Sequence, residues 1–190
     1  MTEQELIELF KERGALLEGH FRLTSGLHSN RYVQCARVLM YPDLAAELGQ
    51  RIADKFRDLD PDLVVGPAIG GIVIAQEVGR ALGVKAIFSE REEGKMTLRR
   101  GFEIKRGERV LVVEDVVTTG GSTKEVINMV AEYGGVVVGV GSLVDRHSGE
   151  LDFGVPFHSL LKLDIETYAP DDCPLCREGI PVVKPGSRKD

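Results

Sequence analysis

Two adjacent acids, Glu114 and Asp115, follow directly on the apolar run Val110-Leu111-Val112-Val113. After Val116 and Val117 comes a run of small hydroxyl and glycine residues, Thr118-Thr119-Gly120-Gly121-Ser122-Thr123. Glycines let backbone amides approach a phosphate without a side chain in the way. The first amides of a following helix have no partner of their own and attract anions. Carboxylates do the opposite work: they accept hydrogen bonds from vicinal sugar hydroxyls. Acids and anion cradle belong together if one ligand carries both a phosphate and sugar hydroxyls, and a 5-phosphoribosyl group does. The run is neither a G-x-x-x-x-G-K-[ST] loop nor a G-x-G-x-x-G fingerprint.

Elements that would hold these groups can be read on either side. "RVLVV" has the composition of a buried strand, and "STKEVINMVAEYG" reads as a helix closed by Gly134. "DLVVGPAIGG" repeats the theme as strand and glycine loop, and "IVIAQEVGRALG" is a helix ending at Gly83. "VKAIFSE", "GVVVGVGSLVD" and "FHSLLKLDI" are further strands. Strand and helix alternate, which predicts an α/β fold with a mainly parallel sheet flanked by helices. In such sheets ligands bind beyond the carboxyl ends of the strands, where the acids stand. Upstream, Thr2 and Glu5 have capping-box spacing before a helix over 2–13, and Pro42-Asp43 opens another with Leu44, Leu48, Ile52 and Phe56 on one face. "GHFRLTSGLHSNRYVQ" reads as a polar loop entering a short strand near Tyr32. "MTLR" and "FEIK" alternate around Arg100-Gly101 as a surface hairpin would. The tail "DDCPLCREGIPVVKPGSRKD" looks irregular.

The 190 residues suit one domain, and the net charge of −6 argues against non-specific nucleic-acid binding. An anionic ligand must be met by local positive groups. No apolar run reaches the ~18 residues of a membrane span, and "MTEQELIELFKERG" lacks a signal core. Three cysteines do not make a disulfide framework, so a reducing cytoplasm is expected. Cys173 and Cys176 form C-P-L-C, which supplies two of the four ligands of a structural zinc. The remaining candidates, Cys35, His20, His28, His147 and His158, are scattered along the chain. The expectation is an ordinary reduced pair and no bound zinc or iron.

The stretch "VLVVEDVVTTGGST" resembles the phosphoribosyl-diphosphate motif of the type I phosphoribosyltransferases. "FRLTSGLHSNRYV" and "GSLVDRHSG" extend the resemblance over most of the chain, toward the orotate-using members. It implies the type I fold with a small base-covering hood: a single domain over 1–190, with about 1–40 and about 166–190 packed around or beside the core. It implies transfer of phosphoribosyl from phosphoribosyl diphosphate to orotate with Mg2+, a homodimer in the cytoplasm, and neither nucleic acid nor membrane as partner. Glu114, Asp115, Val116, Val117, Thr118, Thr119, Gly120, Gly121, Ser122 and Arg91 would bind phosphoribosyl diphosphate. Thr118 and Arg146 would meet orotate, whose carboxylate a guanidinium pairs with bidentately. Lys95 and Asp115 would be catalytic, with Lys95 acting across the dimer interface. Other phosphoribosyltransferases, for purines or uracil, share the acid–glycine loop without needing Arg146, and a ligand-sensing regulator would keep the pocket without catalysis. The chain departs from the family pattern at Thr24 and Gly70, where lysines are usual, and in "SEREEGKMTLRRGFEIK", which has Lys95 but no histidine.

Overall fold

The computed structural model describes residues 1–23, 25–149 and 151–185. It divides into two compact units, Met1–Val38 with Asp164–Asp190, and Leu39–Leu163.

The first unit begins with α1 (Glu3–Glu12), whose capping box closes as expected: Thr2 Oγ1 accepts from Glu5 N, and Glu5 accepts from Thr2 N. Leu6 and Phe10 are its buried face. The segment read as a polar loop entering a strand near Tyr32 does reach that strand, β2 (His28–Val33), but its first part is also a strand, β1 (Leu16–Arg22), and the two form an antiparallel hairpin in register Leu16↔Val33 and Arg22↔His28. A bulge between Glu18 and Phe21 breaks the two-residue alternation, so the periodicity that marks a strand is absent from the sequence. A single turn, α2 (Ala36–Leu39), leads out.

In the second unit the chain runs through α3 (Pro42–Phe56), β3 (Leu63–Pro67), α4 (Gly71–Leu82), β4 (Lys85–Glu92), β5 (Lys95–Thr97), β6 (Arg109–Val117), α5 (Gly121–Glu132), β7 (Val136–Asp145) and β8 (Phe157–Lys162). The sheet order is β5-β4-β3-β6-β7-β8, parallel throughout except for β5. Val65, Val110 and Val112 face α5 and pack on Val126, Met129 and Val130. Alternation turns Leu111 and Val113 to the other face, where α3 and α4 lie. There β7 offers glycine: a Cβ on Gly139 or Gly141 would come within 2.8 Å of Phe56 or Ile52 of α3.

Two boundaries differ from expectation. The sheet hairpin turns at Glu93-Gly94, both at positive φ (50° and 83°), with Glu92 opposite Lys95, and residues 102–105 are not a strand. Arg100 and Gly101 do turn the chain at φ 60° and 74°, but Ile104 beyond them buries in the α5-side core instead of pairing. Strand β6 also runs four residues past the apolar run, so both acids lie inside it. The chain ends in the first unit with β9 (Thr167–Tyr168), which pairs with β2, and a four-residue helix, α6 (Pro174–Arg177). No helix among the described residues is long and apolar enough to cross a membrane.

Candidate functional site

Strands β3 and β6 are neighbours, yet β3 leads through α4 to β4 on one side and β6 leads through α5 to β7 on the other. That reversal is the topological switch point of the sheet, where a crevice opens at the carboxyl ends. Both glycine loops border it. Each helix starts from a cap residue without a side chain, Gly70 for α4 and Gly120 for α5, so neither start is capped by its own N-cap side chain. Gly120 sits at φ 74°, and a Cβ there would lie 3.0 Å from Leu151 and Phe153. The turn therefore has both a conformational and a steric reason to be glycine.

The two acids do not act as a pair. Successive strand residues point to opposite faces. Glu114 faces the start of α5, where its carboxylate accepts a 2.6 Å hydrogen bond from Thr123 Oγ1. Asp115 faces the start of α4, where a Cβ on Gly70 would lie 2.5 and 2.6 Å from its two oxygens. Each glycine loop thus has one acid beneath it. Burial pushes Glu114 up from the usual carboxylate range to about 7; the neighbouring Asp115 charge adds to this and the Thr123 hydroxyl opposes it. Burial likewise raises Asp115, against the backbone amides that hold it. Both carboxylates are acceptors at the carboxyl end of the sheet, which suits a polyhydroxylated or cationic ligand.

The remaining residues of the loop divide by exposure. Thr118, Thr119 and Gly121 are exposed and Ser122 is half-buried, as phosphate donors must be. Thr123, also read as a phosphate donor, is fully buried and committed to Glu114. Val117 is core, and Val116 is half-buried, so Val117 can reach a ligand only through its backbone. Arg146 follows β7 with its amide donating 2.8 Å to Val117 O, which sets it beside the loop at the same end of the sheet.

The basic run is not brought to the acids. Arg91 pairs with Glu125 of α5 at 2.6 Å, Lys95 with Glu132 at 2.9 Å, Arg99 with Glu92 at 3.5 Å, and Arg100 with Glu90 at 2.8 Å. Glu132 is the last residue of α5 and Gly121 the first, roughly 16 Å apart along the axis at 1.5 Å per residue. Within one chain, Lys95 is held at the end of α5 far from the phosphate loop. Thr24 lies outside the described residues. The fit of Gly70 over Asp115 and the Thr123–Glu114 bond were missed in the sequence. A glycine three residues past β3 and a threonine nine residues past an acid give no signal until the two loops are placed side by side.

Comparison with known proteins agrees with this geometry. A family model described as a phosphoribosyl transferase domain matches residues 37–167. The chain is 60% identical over 187 residues to an orotate phosphoribosyltransferase of Carboxydothermus hydrogenoformans, covering 97% of this chain and 98% of that one. It is 56% identical over 189 residues to one of Caldanaerobacter subterraneus subsp. tengcongensis, covering all of both. Among solved structures, an orotate phosphoribosyltransferase from Aeropyrum pernix matches with a TM-score of 0.69 and 30% identity, over 83% of this chain and 93% of that one. One from Mycobacterium tuberculosis, in complex with 5-phospho-alpha-D-ribosyl 1-diphosphate, matches with a TM-score of 0.68 and 31% identity, over 85% and 96%. The switch-point crevice, its two glycine loops and the full-length relatives agree: the chain belongs to the phosphoribosyltransferase family, among the orotate phosphoribosyltransferases.

Proposed function

We propose that the chain transfers the 5-phosphoribosyl group from phosphoribosyl diphosphate to a ring nitrogen of orotate, giving orotidine 5′-phosphate and diphosphate. The observation that carries this reading is the pair of glycine-started helices flanking the switch point, each with a half-buried acid under its loop. Two anion sites with hydroxyl acceptors between them suit a ligand with a phosphate at one end, a diphosphate at the other and a ribose in the middle.

The start of α5, with Thr118, Thr119, Gly120, Gly121 and Ser122 and the backbone of Val116 and Val117, takes the 5-phosphate. The loop ending at Gly70 takes the diphosphate. Glu114 and Asp115 accept from the ribose hydroxyls, and their negative charge favours positive charge developing at carbon 1 as the diphosphate leaves. Arg146 pairs with the carboxylate of orotate, and Thr118 lines the same end. The protein's part is positioning and charge stabilisation, not covalent chemistry.

Mg2+ fits this arrangement as a metal carried by the substrate. The acids face opposite ways and cannot chelate one ion together, and Mg2+ is commonly held by substrate phosphates with few protein ligands. When bound it neutralises the leaving diphosphate.

The chain works as a cytoplasmic homodimer, in which Lys95 and Arg91 serve the neighbouring subunit's crevice. Their place beside α5 of their own chain supports that reading. The two compact units together make one phosphoribosyltransferase domain.

The test is a panel of orotate, uracil, adenine and hypoxanthine with phosphoribosyl diphosphate and Mg2+, following diphosphate release. Turnover with orotate alone is the expected result. Turnover with uracil or a purine and none with orotate would refute the base assignment. Binding of phosphoribosyl diphosphate without turnover of any base would make the chain a sensor.

A further inference from the structure

Four side chains from three separate stretches of the first unit converge at one point. His20 comes from β1, His28 opens β2, Cys173 precedes α6 and Cys176 lies within it. Their ligand atoms all lie within 4.8 Å of one another. His20 Nε2 is 2.9 Å from His28 Nδ1, 3.5 Å from Cys173 Sγ and 3.7 Å from Cys176 Sγ, and Cys176 Sγ is 3.3 Å from His28 Nδ1. A tetrahedral zinc with bonds of about 2.0–2.3 Å sets its ligand atoms roughly 3.3–3.8 Å apart. Three of the four separations fall in that range, and the His20–His28 one is shorter.

The orientation of His20 is already fixed for such a role. Its Nδ1 lies 2.7 Å from the carbonyl oxygen of Ile180, which can only accept, so Nδ1 carries the proton. Nε2 is then left with a lone pair aimed into the cluster, the arrangement in which an outer carbonyl sets the tautomer of a metal-binding histidine. Without a cation, this lone pair, the His28 ring and two thiols converge with nothing to order them. His20, His28 and Cys173 are buried, and Cys176 is the member open to water. One divalent cation would satisfy all four groups at once.

We infer that His20, His28, Cys173 and Cys176 form a structural zinc site that fastens the C-terminal tail to the β1–β2 hairpin. Two imidazoles and two thiolates in a closed tetrahedron are the donor set of structural zinc, not of Mg2+ or Ca2+, which take oxygen. The position has a mechanical purpose. The tail already runs beside β1, with Arg22 N donating to Val183 O and Val183 N donating to His20 O. This unit has a small apolar interior built on Leu6, Phe10, Leu16, Phe21 and Val33. Units of that size are commonly stapled by a metal or a disulfide. The proposal departs from the expectation of a reduced pair without metal, because the fold brings two of the scattered histidines, His20 and His28, to the C-P-L-C pair.

The experiment uses the full chain and does not read turnover. Protein purified without added metal is assayed by plasma mass spectrometry, then stripped with a chelator and titrated with Co2+. The expected results are about one zinc per chain, and on cobalt loading a thiolate-to-cobalt charge-transfer band with intense visible bands of tetrahedral Co2+. Cys176→Ser, chosen because Cys176 is exposed, should weaken zinc binding by more than the ~10–100-fold that loss of an outer partner costs. Chelation should lower the melting temperature of the wild type and leave that of Cys176→Ser unchanged. If Cys176→Ser does not fold, the wild-type cobalt titration decides alone. A wild-type chain that carries no zinc and shows no tetrahedral cobalt spectrum overturns the site. So does a Cys173–Cys176 disulfide under reducing conditions.

Discussion

Replacing Glu114 with Gln tests the electrostatics of the site directly. Glu114 ionises near 4.5 in the unfolded chain and at about 7 when folded. Between those values the folded protein holds a proton that the unfolded chain has released. Stability is therefore fully present below about pH 4.5 and is lost as pH rises through about 7. At roughly 1.4 kcal/mol per pH step, the loss across that window is about 3 kcal/mol, an upper figure because the carboxylate is partly open to water. Gln keeps an acceptor for Thr123 Oγ1 and carries no charge. Glu114→Gln should therefore match the wild type near pH 5 and exceed it by about 1–3 kcal/mol at pH 8. In a chain of this length each kcal/mol moves the melting temperature by about 2–4 °C. Asp115 is shifted in the same direction and remains in both proteins, so the difference curve isolates Glu114 and its coupling to Asp115.

The assay is urea or thermal unfolding of both proteins from pH 4.5 to 8.5, without ligand. Turnover of the variant should fall in the same preparations if, as proposed, that charge accepts from the ribose hydroxyls. Parallel stability curves for wild type and variant would refute the reasoning, whatever the activity did.

Three further outcomes are expected. Gly70→Ala drives a Cβ to about 2.5 Å from the Asp115 carboxylate, which must swing aside; kcat/KM for phosphoribosyl diphosphate should fall about 10-fold or more, while the unfolding midpoint moves little, as steady-state kinetics and urea melts would show. Arg146→Ala leaves the carboxylate of orotate unpaired, and a charge-assisted contact worth roughly 1.5–3 kcal/mol predicts at least a 10-fold loss in kcat/KM for orotate, measured at saturating phosphoribosyl diphosphate. Mixing inactive Asp115→Asn with inactive Lys95→Ala under subunit exchange should restore activity toward half the wild-type value per mixed dimer; no recovery after exchange verified by mass would return Lys95 to its own subunit or to no role.

Much of the second unit was legible because its signals are local. The Val110–Val113 run, the glycines after α4 and α5, and the Pro42 helix start each act within a few residues, and each element appears where its signal stands. What escaped depended on distant pairing. The β1–β2 hairpin hides behind a bulge that breaks its alternation. Two candidate turns, Glu93-Gly94 and Arg100-Gly101, have the same left-handed backbone, and only the pairing of Glu92 with Lys95 decides which one joins strands. The His20–His28–Cys173–Cys176 cluster joins residues more than 140 positions apart, and C-P-L-C shows only half of it. Of the phosphate loop, residue types were readable but not directions. A hydroxyl at 123 looks like one at 122 until the helix turns one inward and leaves the other at the crevice.

The division of labour between the acids follows from a single strand. Because side chains alternate, β6 sends Glu114 under one helix start and Asp115 under the other, so one strand furnishes both loops. A slip of one residue would exchange the two faces and bury the wrong acid. The register that prevents this is set against β7, and it is not uniform. Val110 pairs with Val137 and Leu111 with Gly139, so Val138 is an extra residue on β7. Beyond that bulge the register is constant, through Glu114↔Ser142 to Val117↔Asp145. The next residue is Arg146, whose amide donates to Val117 O. An irregularity at the amino end of the strands thus determines where the arginine emerges at the carboxyl end, six to eight residues later. Bulges near active sites commonly re-aim a side chain in this way. The placement of Arg146 beside the phosphate loop therefore rests on Val138 as much as on the arginine itself.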